Sequence, residues 1–253
     1  MHKIDPLIAE FIGTALLVLL GDGVVANVVL NKTKGRQGGW VVIALGWAMG
    51  VFVGVLCAQE FSGAHLNPAV SVALAWAGKF AWAKVPGYVL AQMLGAFVGG
   101  ALVLLFYYGH FKVTEDGNAK LAVFCTGPEI RCPAANFFAE LLGTFVLVFV
   151  VLFIAAPTLE FVNAPNQPAA KAVIGLGSLG ALPVALLVLA IGLSLGGATG
   201  YAINPARDLG PRLVHALLPV PGKRDSDWGY AWVPVLGPLA GGLVAAVLYG
   251  ILP

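Results

Sequence analysis

The chain has 253 residues, 59% of them hydrophobic and only 10% charged, with a formal net charge of +2 and a mean hydropathy of +0.91. That balance excludes a disordered chain and an ordinary soluble domain, and it leaves no basic footprint for nucleic acid. Its 33 Gly and 16 Pro, residues more frequent in membrane helices than in soluble ones, point to a helical membrane protein.

In chain order, Lys3 followed by the apolar run Leu7–Leu20 has the outline of a signal peptide, with Val24-Val25-Ala26 as a weak cleavage site. Glu10 lies early in that run and the apolar stretch extends to Leu30, so it reads as a retained first span over 6–30. Further spans are predicted over 40–59, 84–107, 136–156, 172–193 and 231–252, each near the length that crosses a ~30 Å hydrocarbon core. Two runs, 67–77 and 204–216, are too short to cross, because as helices they reach only some 16–20 Å. Irregular backbone leading into them is tolerable at membrane depth only where it is buried in protein or lines a wet cavity. Both therefore read as re-entrant half-helices beside a pore. The three Cys are too few for a disulfide scaffold and lack zinc-ligand spacing, and no other metal-ligand cluster stands out. Cys57 falls in an apolar helix and reads as a small core residue. Cys125 and Cys132 share a polar loop, and their pairing is left open.

The two halves repeat. Ala9-Glu10-Phe11-Ile12-Gly13-Thr14 recurs 130 positions on as Ala139-Glu140-Leu141-Leu142-Gly143-Thr144. Gly63-Ala64-His65-Leu66-Asn67-Pro68-Ala69 recurs 137 positions on as Gly200-Tyr201-Ala202-Ile203-Asn204-Pro205-Ala206. A unit of span, span, half-helix and span crosses three times, so its second copy enters from the opposite side. The expected fold is an all-α membrane protein of six transmembrane helices plus two re-entrant half-helices in an inverted repeat. It forms one domain over 1–253, with halves of about 1–110 and 136–253 joined by loop 111–135.

Asn67 and Asn204 are well placed as N-caps, and Pro68 and Pro205 suit the first helical position, where the missing N–H was unpaired anyway. With Ala69 and Ala206 they start two half-helices whose partial positive ends meet at the midplane and repel cations. Arg207 follows directly, and a charge in a membrane segment normally faces the bundle interior or water. Glu10 and Glu140 read as acceptors for the loop N–H groups, which would otherwise be unpaired. The carbonyls of Gly63, Ala64 and His65, and of Gly200, Tyr201 and Ala202, are expected to form acceptor ladders along the two half-channels. His65 either lines that approach or is an ordered polar residue. Gly46, Gly50 and Gly54, with Gly95 and Gly99, form small-residue stripes for close helix packing. Asp22 is either buried or at a vestibule, and Glu60 reads as a solvated mouth residue.

Two Asn-Pro-Ala triplets in matching halves resemble the aquaporin family over nearly the whole chain, where half-helix dipoles and an Arg exclude cations. The resemblance implies a selectivity filter of Trp47, Gly192, Tyr201 and Arg207, with Trp47 and Tyr201 as an apolar corner opposite the guanidinium. In that expectation Gly192 leaves the room that Trp47 and a polyol occupy. Asp208 resembles the mark of the glycerol-conducting branch and also reads as a loop-stabilising carboxylate. Gly222-Lys223-Arg224-Asp225 and Tyr230-Ala231-Trp232-Val233-Pro234 resemble the same branch. The family implies a passive channel for glycerol and small neutral polyols with some water permeation, and neither an enzyme nor a cofactor-binding protein. It also implies a homotetramer in the cell membrane with both termini cytoplasmic. The charge count opposes that orientation. Lys3, Lys79, Lys84 and Lys171 lie on the N-terminal side, against nine Lys and Arg opposite once Arg207 is set aside. Rival readings are a water, urea or lactic-acid channel of the same fold, and an ion- or proton-coupled secondary transporter. No second ionisable cluster accompanies Arg207 to couple transport to an ion.

Overall fold

The computed structural model describes residues 4–155, 157–161 and 170–252. Lys3 and the side chain of Lys171 lie outside the described residues. Helix α1 (Pro6–Val29) starts with Pro6 in its first turn and with Asp5 as cap, accepting from the Leu7 N–H at 2.8 Å. It is followed by α2 (Gly39–Ser62), the half-helix α3 (Pro68–Trp76) and α4 (Val85–Phe106). The second half comprises α7 (Pro133–Phe153), α8 (Leu182–Ser194), the half-helix α9 (Pro205–Leu217) and α10 (Val233–Ile251). Between the halves lie two short helices, α5 (Tyr108–Val113) and α6 (Gly117–Phe124). Counting the 3-10 turns that lead into α4 and α8, six helical segments among the described residues are long and apolar enough to cross a bilayer.

The interior is an apolar core with buried charges set into it, and large apolar side chains cover much of the outside, unlike a soluble domain. Leu105 and Phe106 are exposed, while Glu10, Asp22, Gln92, Asp208 and Arg212 are fully buried. Lipid covers the first set, and the second must satisfy itself inside the protein.

Helix α1 packs against α2 and α4, and α7 packs against α10. Glycine permits the approach, because a Cβ on Gly95 would lie 2.4 Å from the Phe11 carbonyl oxygen. At the α7–α10 contact, a Cβ on Gly241 would lie 2.1 Å from the Leu141 carbonyl oxygen. The half-helices cross over, α3 packing on α10 and α9 on α4. Each re-entrant segment is thus held by the last span of the other half.

Three sequence expectations are corrected. The run 172–193 is not one helix. Residues 170–173 form strand β2 (Ala170–Val173), antiparallel to β1 (Thr158–Phe161), and a 3-10 turn over Gly177–Ala181 leads into α8. Gly175, Gly177 and Gly180 weaken helix there, and Gly177 adopts φ +52°. The loop 111–135 contains helix, with Asp116 capping α6 through the Asn118 N–H at 2.8 Å. Cys57 is exposed on α2 rather than in the core, and Cys125 and Cys132 are free thiols, the first buried and the second exposed.

Candidate functional site

Two loops of matching shape lead into the half-helices. Gly63, Ala64 and Leu66 have φ of +82°, +51° and +50°, and Gly200, Tyr201 and Ile203 have +84°, +39° and +44°. Left-handed backbone at non-glycine residues is strained, so something must hold it. Glu10 accepts from Ser62 Oγ (2.6 Å), the His65 N–H (2.9 Å), the Leu66 N–H (2.8 Å) and Gln92 Nε2 (2.8 Å). Glu140 accepts from Thr199 Oγ1 (2.6 Å) and from the N–H groups of Ala202 (3.0 Å) and Ile203 (2.9 Å). The equivalent carboxylates of the two repeats thus satisfy the equivalent loop amides.

The half-helix tips meet. Asn67 Oδ1 caps α3 through the Ala69 N–H at 2.9 Å, and Asn204 Oδ1 caps α9 through the Ala206 N–H at 3.0 Å. Asn67 Nδ2 donates to the Ile203 carbonyl and Asn204 Nδ2 to the Leu66 carbonyl, both at 2.8 Å. An amide NH₂ has two donors, so each Asn ties the opposite loop with one N–H and has a second left over. Pro68 and Pro205 occupy the first helical positions, with Ala69 and Ala206 buried behind them.

Two cavities flank a constriction. The first, of about 220 Å³, is bordered by loop residues including Gly63, Ala64, His65, Asn67, Ala202 and Asn204 and by apolar residues including Val51, Val55, Leu147, Val184 and Val188. The second, of about 290 Å³, is bordered by Trp40, Thr126 and Gly200 among others. Trp47, Tyr201 and Arg207 alone line both. Trp47 does not stand opposite the guanidinium. Its ring lies over Arg207, with Cζ 3.9 Å from the ring centroid, and it packs against Gly21, where a Cβ would lie 2.1 Å from the ring. Nor does Gly192 leave space for Trp47. Tyr201 fills it, its Cζ and hydroxyl 2.9 Å from where a Gly192 Cβ would be. Trp40 holds that corner by donating from Nε1 to the Gly192 carbonyl at 2.8 Å and meeting Tyr201 edge-on. Trp47 Nε1, the Tyr201 hydroxyl and Arg207 Nη1 have no hydrogen-bond partner among the described residues.

Asp208 does not reach the pore. Its carboxylate accepts from the Thr126 N–H (2.8 Å) and Oγ1 (2.7 Å) and from Arg212 Nε (2.8 Å) and Nη2 (3.0 Å). Arg212, fully buried, also donates to the carbonyls of Ser226 (2.8 Å) and Asp227 (3.1 Å), fastening two loops to α9. On the second loop, hydrogen bonds from the Asp227 N–H and from Arg224 hold the Asp225 carboxyl below the usual carboxylate range. Arg212 and Trp40 are residues that sequence reasoning missed. An Asp208–Arg212 pair four apart on a half-helix was a readable signal, whereas nothing local marks Trp40. His65 Nδ1 lies 3.0 Å from Ser71 Oγ, with its ring edge-on to Phe80. Asp22 is fully buried beside Arg207, and Glu60 is exposed at the end of α2.

Six spans, two half-helices meeting at their Asn tips and a pinched pair of cavities define a multi-pass membrane protein built around a central pore. The chain belongs to the major intrinsic protein family, whose sequence pattern matches residues 1–249. It is 55% identical to the "Probable glycerol uptake facilitator protein" of Thermotoga maritima, covering 96% of this chain and 97% of that one. It is 51% identical to glycerol uptake facilitator protein 3 of Lactiplantibacillus plantarum, covering 98% and 96%. Among solved structures it resembles the aquaglyceroporin of Plasmodium falciparum, with a TM-score of 0.80 and 34% identity over 97% of this chain and 95% of that one.

Proposed function

We propose that the protein is a passive channel for glycerol and other small neutral polyols, with some water permeation. Residues 1–253 act as one channel domain in the cell membrane. The observation that carries this reading is the mixed lining of the passage. Valine and leucine residues line the first cavity together with the two re-entrant loops and Asn67 and Asn204. A polyol has the same two kinds of surface, a carbon chain and a row of hydroxyls, so it exchanges its water shell for matching contacts. Trp47, Gly192, Tyr201 and Arg207 act as the selectivity filter, with the Tyr201 ring as its apolar face and Arg207 as donor. The carbonyls of Gly63, Ala64, His65, Gly200, Tyr201 and Ala202 accept from passing hydroxyls. The free N–H of each tip Asn and the positive ends of α3 and α9 orient water and reject cations. Transport rather than catalysis is the activity, without a cofactor, in a homotetramer with one pore per subunit. Glycerol uptake facilitators at 55% and 51% identity support the substrate class.

Stopped-flow light scattering of proteoliposomes, with glycerol, water, urea and lactic acid compared side by side, tests the reading. Glycerol flux well above empty vesicles and no accumulation against a gradient are expected. Flux of water alone, or uphill uptake driven by an ion gradient, would replace this reading by one of its rivals.

Both termini face the cytoplasm in this proposal, with the loop of Cys125 and Cys132 on the oxidising side. The opposing charge count includes Arg212 and Lys120, which are buried and bonded within the fold rather than free at the surface. Asn118 is exposed on α6. In a background without native Cys, Asn118→Cys is expected to react with an impermeant thiol reagent on intact cells. Labelling only after lysis would reverse the orientation.

A further inference from the structure

We propose that Asp22 is a specificity-determining residue of the pore: its carboxylate is the counter-charge of Arg207 and keeps small anions out of a passage that would otherwise draw them in. The inference rests on the reading of Trp47, Tyr201 and Arg207 as the filter.

Asp22 lies on α1 directly after Gly21, the glycine against which Trp47 packs, and its side chain is fully buried. Its Oδ1 is 3.8 Å from Arg207 Nη1, and neither carboxylate oxygen accepts a hydrogen bond among the described residues. The neighbouring Asp208 is different, since Arg212 binds it through two nitrogens and the two charges balance one another. Among the described residues Arg207 is therefore the positive charge in contact with Asp22, and Asp22 the negative charge in contact with Arg207. A buried charge without a partner is costly, so each accounts for the burial of the other.

The offset of 3.8 Å has a consequence. A carboxylate hydrogen-bonded to the guanidinium would occupy donors that the passage needs. At 3.8 Å it offsets the charge without forming a hydrogen bond to Nη1, so no donor of the guanidinium is spent on the carboxylate. Trp47, stacked on the guanidinium at 3.9 Å, holds its plane. Beyond the constriction the passage carries the positive ends of α3 and α9 and the carboxylate of Glu129 at the wider second cavity. At the constriction itself, without Asp22, the charge is positive only, which repels cations but attracts anions.

The test is chloride entry into proteoliposomes, driven by a potassium–valinomycin potential and read with a trapped chloride-quenched dye. Asp22→Asn keeps size and removes charge, and it is expected to raise chloride flux at least tenfold over the wild type, about 1.4 kcal/mol off the barrier. Asp22→Asn combined with Arg207→Gln restores neutrality and is expected to return chloride flux to the wild-type level. Folded Asp22→Asn channels that conduct glycerol yet stay as chloride-tight as the wild type would overturn the proposal. Should Asp22→Asn fail to fold, the charge pairing requires the double variant to fold. Failure of both would make Asp22 a packing residue and overturn the proposal too. Wild-type vesicles that pass no glycerol would instead sink the channel reading itself, so the two failures are told apart.

Discussion

Exchanging Gly192 for His together with Tyr201 for Cys lowers glycerol permeability at least tenfold in reconstituted vesicles and water permeability much less. A Cβ on Gly192 would lie 2.9 Å from the Tyr201 ring, so a larger residue there requires the ring to leave. The Cys substitution provides that space, and the imidazole then takes the position of the phenol. Two losses fall on glycerol alone. The apolar face against which a carbon chain slides is gone, and the opening beside Trp47 and Arg207 accommodates a smaller solute. A tenfold fall in rate corresponds to about 1.4 kcal/mol of added barrier, a modest steric demand at a constriction bounded by three side chains. Water bonds readily to His and to Arg207 and feels much less of it. If the two permeabilities fell in equal proportion at unchanged protein level, Trp47, Gly192, Tyr201 and Arg207 would not act as one filter.

Glu10→Gln destabilises the protein before it alters selectivity. Four donors converge on the carboxylate: Ser62 Oγ, the N–H groups of His65 and Leu66, and Gln92 Nε2. A carboxylate is acceptor-only, whereas Gln turns an NH₂ toward at least two of those donors and leaves them unpaired in a buried site. Bonds to a charged acceptor contribute about 1.5–3 kcal/mol each, so the loss is of the order of 3 kcal/mol or more. For a chain of this size that lowers the apparent melting temperature by roughly 6–12 °C. The strained left-handed residues Ala64 and Leu66 are released first, because Glu10 bonds the N–H groups of His65 and Leu66 and also accepts from the Ser62 hydroxyl to which the Ala64 N–H donates. Glu140→Gln has the same effect on Tyr201 and Ile203 through Ala202 and Ile203. A thermal melt followed by fluorescence-detected size exclusion measures both. A variant with wild-type stability but a changed pH dependence of flux would mean that these glutamates handle protons instead.

Where chemistry acts over a few residues, the chain could be read directly. Pro after Asn stops one backbone geometry and starts another within two positions, so runs 67–77 and 204–216 correspond closely to α3 and α9. Six long apolar stretches have no soluble alternative, which is why five of the six spans begin and end within about three residues of their expected bounds. The exception, 172–193, shows where hydropathy misleads. An apolar stretch interrupted by Gly175, Gly177 and Gly180 satisfies the composition of a span without its helix propensity.

Pairings between distant residues were not readable. Motif spacing selected Trp47, Gly192, Tyr201 and Arg207, but it carried no information on which ring lies over the guanidinium and which over the glycine. That choice is made where α1 approaches α2 closely enough for Trp47 to lie on Gly21, and where Trp40 reaches the Gly192 carbonyl across 152 positions. Asp22 was visible as a carboxylate in a span, and its partner was not, because 185 residues separate it from Arg207. The sequence by itself determined five of the six spans, the half-helix caps and the charged residues that a membrane interior must accommodate. Only the tertiary structure decided which charges face one another, since a buried ion finds its partner through helix contacts made by glycines far away in the chain.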